Sequence, residues 1–266
     1  HRDLHYPLRR QRQMCIRDSS KEERIQQFKF AADRINNQVE FMAGVNDIRV
    51  DECLEISSSA VDAGAKSLLV AAPPYSLPSE EELASHVLEI ANKTGLPIML
   101  YNYPGRTGVE MGETFLNIVA DNSLIAAIKE SSGDFSRLPL LSNNYSSIEL
   151  AVGGEEQVLE FAAWGAKSWV CATANFFPSE CVQLMDILGK QSDFEKGRRL
   201  MAAFMPLMRA LEQGGKFLQC VKLGCEQQGR PSGKVRLPLL PIEESLRKEM
   251  IGVIDKTRSS LHSILN

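Results

Sequence analysis

SLLVAAPPYSLPSEEELASHVLEIANKTGLPIMLYN, residues 67–102, decides the fold, because it spells out one complete strand–helix–strand unit. Ser67 to Ala72 is a short continuous apolar run, the pattern of a strand covered on both faces, and Pro73-Pro74 stop it. Ser79 with Glu82 makes a capping box, in which hydroxyl and carboxylate each satisfy a backbone N–H at the start of a helix. Leu83, Val87 and Ile90 then recur at helical spacing, and Gly95 with Pro97 marks the end. A second apolar strand runs over 97–102. Strands joined through a helix of this length lie parallel.

The same cycle extends in both directions. Upstream, Ser20 and Glu23 form another capping box, after which Ile25, Phe28, Ala32 and Ile35 share one helical face. A strand over 39–45 is closed by Gly44 and Asn46, and a helix over 49–63 ends at Gly64. Downstream, strands read at 124–129, 148–152 and 168–172, with helices at 111–121, 135–143, 155–165 and 179–190. Strand starts recur every 20 to 30 residues, the length of one βα unit, so a parallel sheet covered by helices is expected. Two architectures fit: a doubly wound open sheet, or a closed (β/α)8 TIM barrel. No Gly-x-Gly-x-x-Gly follows a strand and no Walker A motif occurs, which removes the usual support for a nucleotide-binding open sheet. Beyond residue 190 the alternation stops; 193–228 and 243–264 read as helices separated by RPSGKVRLPLLP, a C-terminal helical extension over 191–266 after a barrel portion over 19–190.

Composition narrows the classes further. A chain of 266 residues at 44% hydrophobic can bury a large core, and a net charge of −4 gives no reason to expect a nucleic-acid partner. No stretch approaches the roughly 18–20 apolar residues of a membrane-spanning helix. The six cysteines include no Cys-x-x-Cys and the four histidines make no ligand-spaced cluster with them, so neither a metal site nor a disulfide scaffold is expected. Scattered thiols fit a reducing cytoplasm. The first eighteen residues stand apart, with five arginines against two acids. They could be a basic arm; Met14 to Ser19 also reads as the translated end of a sequencing-library adapter, which makes residues 1–18 an expected artefactual leader.

Four motifs fall at the same end of successive strands, the end where barrel and open-sheet sites are built. In LYNYPGRTG, 100–108, Tyr101 can project into a pocket, Pro104, Gly105 and Gly108 make a turn with available amides, and Arg106 offers a fork suited to a carboxylate. In AAIKESSGD, 126–134, Lys129 closes an apolar strand, where burial lowers the pKa of an amine and makes it a nucleophile towards a ketone. A lysine reaching out to solvent, or paired with Glu130, is the plainer alternative. Tyr75 in PPYSLP could relay protons at a site mouth, and the small residues of GGEE, 153–156, and ATANFFP, 172–178, could let a ligand approach the backbone.

With these motifs in hand, the chain resembles the dihydrodipicolinate synthase/N-acetylneuraminate lyase family of class I aldolases and lyases, from about Ser20 to beyond Pro241. The family's tyrosine motif stands as Tyr101-Asn102-Tyr103-Pro104-Gly105-Arg106-Thr107-Gly108, and its Schiff-base motif as Ile128-Lys129-Glu130-Ser131-Ser132-Gly133-Asp134, with 28 residues between tyrosine and lysine. The resemblance implies a TIM barrel with a C-terminal helical extension, usually a homotetramer built as a dimer of dimers. It implies an imine between Lys129 and pyruvate or another 2-oxo acid, with no other cofactor and no metal. Tyr101 would transfer protons, Tyr75 would complete a proton relay across a dimer interface, and a backbone group of Val170 would contact the keto acid. Arg106 is typical of the synthase branch, where it binds the carboxylate of aspartate semialdehyde, so the leading expectation is a 4-hydroxy-tetrahydrodipicolinate synthase-like enzyme. Sugar-acid aldolases and dehydratases of the family share much of the pattern. Nothing before Ser19 resembles the family's Gly-Thr-Thr-Gly-Glu-like loop, so the visible strands are expected to be the third to eighth. An inactive truncated barrel with a structural or binding role is the non-enzymatic expectation.

Overall fold

The structure, a computed structural model, describes residues 19–266, which form two compact units, 19–153 and 154–266. The expected leader, residues 1–18, lies outside the described residues.

In the first unit five parallel strands stand side by side in chain order: β1 (Met42–Gly44), β2 (Ser67–Ala71), β3 (Ile98–Asn102), β4 (Ile125–Glu130) and β5 (Glu149–Val152). Four of the five residues of β2 and all five of β3 are buried, as expected of a parallel strand covered on both faces. Helices α1 (Lys21–Ile35), α2 (Val50–Asp62) and α3 (Glu80–Thr94) are followed by a single turn, α4 (Pro104–Thr107), and by α5 (Glu113–Val119) and α6 (Arg137–Asn144).

Both expected capping boxes form. Ser20 N–H donates to Glu23 Oε2 at 3.1 Å, and Ser79 N–H to Glu82 Oε2 at 2.8 Å. Each serine Oγ in turn accepts the N–H three residues on, at 3.3 Å. Leu83, Val87 and Ile90 line the buried face of α3, and burial of each such side chain contributes about 1.5–3 kcal/mol. Gly95 ends that helix at φ +63°, a conformation a Cβ would oppose.

The second unit holds α7 (Val158–Ala163), the short strand β6 (Ser168–Trp169), a 3-10 turn (Thr173–Asn175) and α8 (Pro178–Gly189). Three longer helices follow: α9 (Phe194–Gln213), α10 (Phe217–Gln227) and α11 (Glu244–Leu265). The stretch 193–228 is therefore two helices rather than one, because Gly214-Gly215 interrupts it, with Gly215 at φ +65°. Phe204, Leu207 and Leu211 are fully buried on α9, which packs against α11. Cys53, Cys171, Cys181, Cys220 and Cys225 are all buried free thiols. Among the described residues no helix is long and apolar enough to cross a membrane.

Candidate active site

Parallel register places Tyr101 of β3 directly beside Lys129 of β4, with Ala71 of β2 and Ala151 of β5 completing the row. Side chains alternate between the two faces of a strand, so a cross-strand row shares one face. The amine and the phenol are the only polar side chains in this row. Lys129 is 2% exposed and Tyr101 8%. Lys129 Nζ sits 3.9 Å from the centroid of the Tyr101 ring, so the two residues expected to act together are in contact. Lys129 therefore does not reach out to solvent, and the side chain of Glu130 lies on the reverse face.

That reverse face carries a second polar constellation, which the sequence reading passed over. Asn102 and Glu130 are also in register, and Asn102 Nδ2 donates to Glu130 Oε2 at 2.8 Å. Arg137, from α6, donates through Nε to the same oxygen at 2.7 Å. Ser132 N–H donates to Glu130 Oε1 at 2.6 Å. Asn102 Oδ1 accepts the Met111 N–H at 3.0 Å, Arg137 Nη2 donates to the Met111 carbonyl at 2.8 Å, and Arg137 Nη1 meets Glu110 at 3.0 Å. Asn102, Glu130 and Arg137 are all buried. One signal could have found them: a polar residue directly follows each of Tyr101 and Lys129 inside an otherwise apolar strand.

After β3 the chain enters α4. The amides of Arg106 and Thr107 donate to the Tyr103 carbonyl, and that of Gly108 to the Pro104 carbonyl. This corrects the expectation that they stay available: Pro104 at the first helical position favours a turn that uses them internally. Tyr103 stacks near Tyr101, with ring centroids 5.9 Å apart, and the exposed Arg106 guanidinium lies 5.8 Å from the Tyr103 ring centroid. Gly108, at φ +75°, faces Leu77, whose Cδ2 would lie 2.6 Å from a Cβ there.

Tyr75 is 93% exposed, at φ +71°, and is not brought into the Tyr101–Lys129 couple. Gly153 permits a close approach, but by the chain itself: a Cβ would lie 2.0 Å from Ser131 Oγ and 2.3 Å from the Glu130 carbonyl. Ser131 Oγ is buried without a hydrogen-bond partner.

In the second unit, half-buried Val170 directly follows β6. Buried Glu155 accepts from the N–H of Ala172, from the N–H of Thr173 at 3.3 Å and from Thr173 Oγ1 at 2.6 Å, so it pins the turn after Val170. Burial, with the Cys181 sulfur 3.7 Å away, pushes the Cys171 thiol up, out of the range of a reactive thiolate.

The sequence pattern of the Dihydrodipicolinate synthetase family matches residues 17–257. A 4-hydroxy-tetrahydrodipicolinate synthase of Methanocaldococcus jannaschii is 32% identical over 240 residues, covering 88% of this chain and 81% of that protein. One from Salinibacter ruber is 33% identical over 233 residues, 85% of this chain and 75% of the relative. Among solved structures, the 4-hydroxy-tetrahydrodipicolinate synthase of Methylacidiphilum fumariolicum SolV superposes with a TM-score of 0.87 at 27% identity, covering 93% of this chain and 82% of that one. A crystallised dihydrodipicolinate synthase gives a TM-score of 0.84 at 31% identity, with 92% and 83% covered.

Proposed function

The chain belongs to the dihydrodipicolinate synthetase family, and from that premise we infer a lyase that joins pyruvate to an aldehyde through a covalent imine on Lys129. The observation that carries this reading is the buried amine 3.9 Å from the Tyr101 ring centroid, on one face of the sheet. The uncharged amine is the form that attacks a ketone. Attack of Lys129 Nζ on the keto carbon gives a carbinolamine, and loss of water gives the imine. Once protonated, the imine withdraws electrons from the adjacent methyl group. Loss of a methyl proton yields the enamine, which adds to the second carbonyl. Tyr101 carries protons between these steps, from the neighbouring strand.

The second substrate is aspartate semialdehyde, as in the synthase branch. Arg106 binds its carboxylate with a planar fork, and Val170 contributes a backbone contact to the keto acid. Tyr75, placed in solvent by this chain alone, belongs to a relay completed across a dimer interface in a homotetramer of paired dimers. The architecture is a (β/α)8 barrel portion over 19–190 with a helical extension over 191–266, working in the cytoplasm. Its covalent chemistry needs no resident metal or cofactor.

The test is chemical trapping. Borohydride with pyruvate should leave the reduced adduct on the peptide that contains Lys129, and adding aspartate semialdehyde before reduction should lower the trapped fraction as turnover proceeds. An adduct absent from Lys129, or found on another lysine, overturns the assignment.

A further inference from the structure

Consecutive strand residues face opposite ways, so each member of the Tyr101–Lys129 couple carries a neighbour onto the reverse face. Those neighbours, Asn102 and Glu130, are joined at 2.8 Å, and Arg137 and the amides of Ser132 and Met111 close the network around them. A shift of one strand end relative to the other must break this network. Beside it the backbone bond from Ser131 N–H to the Asn102 carbonyl, 2.9 Å, joins the two chain segments.

Stability alone does not call for this arrangement. Other registered pairs of the sheet are buried with apolar side chains, Val70 against Leu100 and Ile128 against Leu150. Replacing a buried ion pair by such residues is often neutral or stabilising. What a carboxylate clamped by three directed donors adds is fixed geometry, and misplacement by about 1 Å near reacting groups costs on the order of 10²-fold in rate. We propose that Asn102, Glu130 and Arg137 are positioning residues, which hold the Tyr101 phenol against the Lys129 amine from behind the sheet. The proposal rests on the reading of Lys129 as the imine-forming amine.

Two isosteric exchanges test it. Asn102→Asp replaces the donor facing Glu130 by an acceptor. Glu130→Gln sets an amide against donors it cannot accept with both of its heavy atoms. Each single exchange is expected to lower kcat about tenfold or more per folded molecule. The borohydride-trapped fraction of Lys129 at saturating pyruvate and the KM for pyruvate should stay within about twofold to threefold. In crystal structures, the 3.9 Å separation of Lys129 Nζ and the Tyr101 centroid should change in these variants.

Arg137→Lys keeps the charge and removes the fork between Glu130 and the Met111 carbonyl, so it supplies the same readouts if an exchange at 102 or 130 prevents folding. Single variants with native kcat overturn the proposal and leave the network a purely stabilising one. A native protein without a pyruvate adduct refutes the imine reading instead, while the crystallographic distances still decide the positioning.

Discussion

The two faces of the β3–β4 pair bury polar side chains in opposite ways. On one, an amine lies over an aromatic ring in a row otherwise made of alanines. On the other, a carboxylate accepts three directed hydrogen bonds and a guanidinium spans two carboxylates and a carbonyl. The difference teaches that a polar residue in a buried strand is not by itself a mark of catalysis. Where donors and acceptors are matched within the protein, the group fixes a frame; the amine over its ring is the contact on which the imine reading rests.

The largest expected effect separates the faces outright. Lys129→Ala should abolish the pyruvate adduct and lower kcat by about 10⁵-fold or more. Urea unfolding should change by less than about 2 kcal/mol, because loss of a buried amine offsets loss of its methylenes. A large loss of stability would place Lys129 with the frame instead. Next comes Tyr101→Phe, which keeps the ring and removes the hydroxyl. It should lower kcat about 10²- to 10⁴-fold, the usual range for a positioned proton-transfer group, while borohydride still traps pyruvate on Lys129. Native turnover would assign the proton steps elsewhere. On the reverse face, Arg137→Met leaves Glu130 without its cation and should cost about 3–5 kcal/mol in urea unfolding, with the adduct still formed by the folded fraction.

Much of this was legible in the chain. The strand–helix cycle follows from apolar runs, capping boxes and Gly/Pro stops, all of which act within a few residues. Tyr101 and Lys129 stand out because each lies at the end of such a run and both fall within motifs that resemble a known family. The reverse-face network left one faint trace in the sequence, the polar residue after each of Tyr101 and Lys129. Asn102 and Glu130 are 28 residues apart and become neighbours only through parallel register, which hydrophobic pattern does not encode. The turn of helix at 104–107 was hidden for a different reason: Pro-Gly signals a turn, and the pattern does not say whether its amides bond inward. Nor does Tyr75 announce its 93% exposure, since an aromatic residue between prolines fits a packed loop equally well.

The smallest expected effect lies at the outer end of the network. Glu110 meets Arg137 Nη1 at 3.0 Å, but its side chain is 49% exposed, whereas that of Glu130 is 1% exposed. Arg137 keeps Glu130 and the Met111 carbonyl when Glu110 is neutralised, so no buried charge is left alone. Glu110→Gln should therefore cost less than about 1 kcal/mol, and the difference from the native protein should vanish in about 1 M salt, where the screening length falls to about 3 Å. The Arg137→Met loss should persist in the same salt, because the inner pair is shielded from it. Urea titrations of both variants at low and high salt make the comparison. If Glu110→Gln costs as much as Arg137→Met, the guanidinium is anchored at its exposed end, and Glu130 is not what holds the frame behind Lys129.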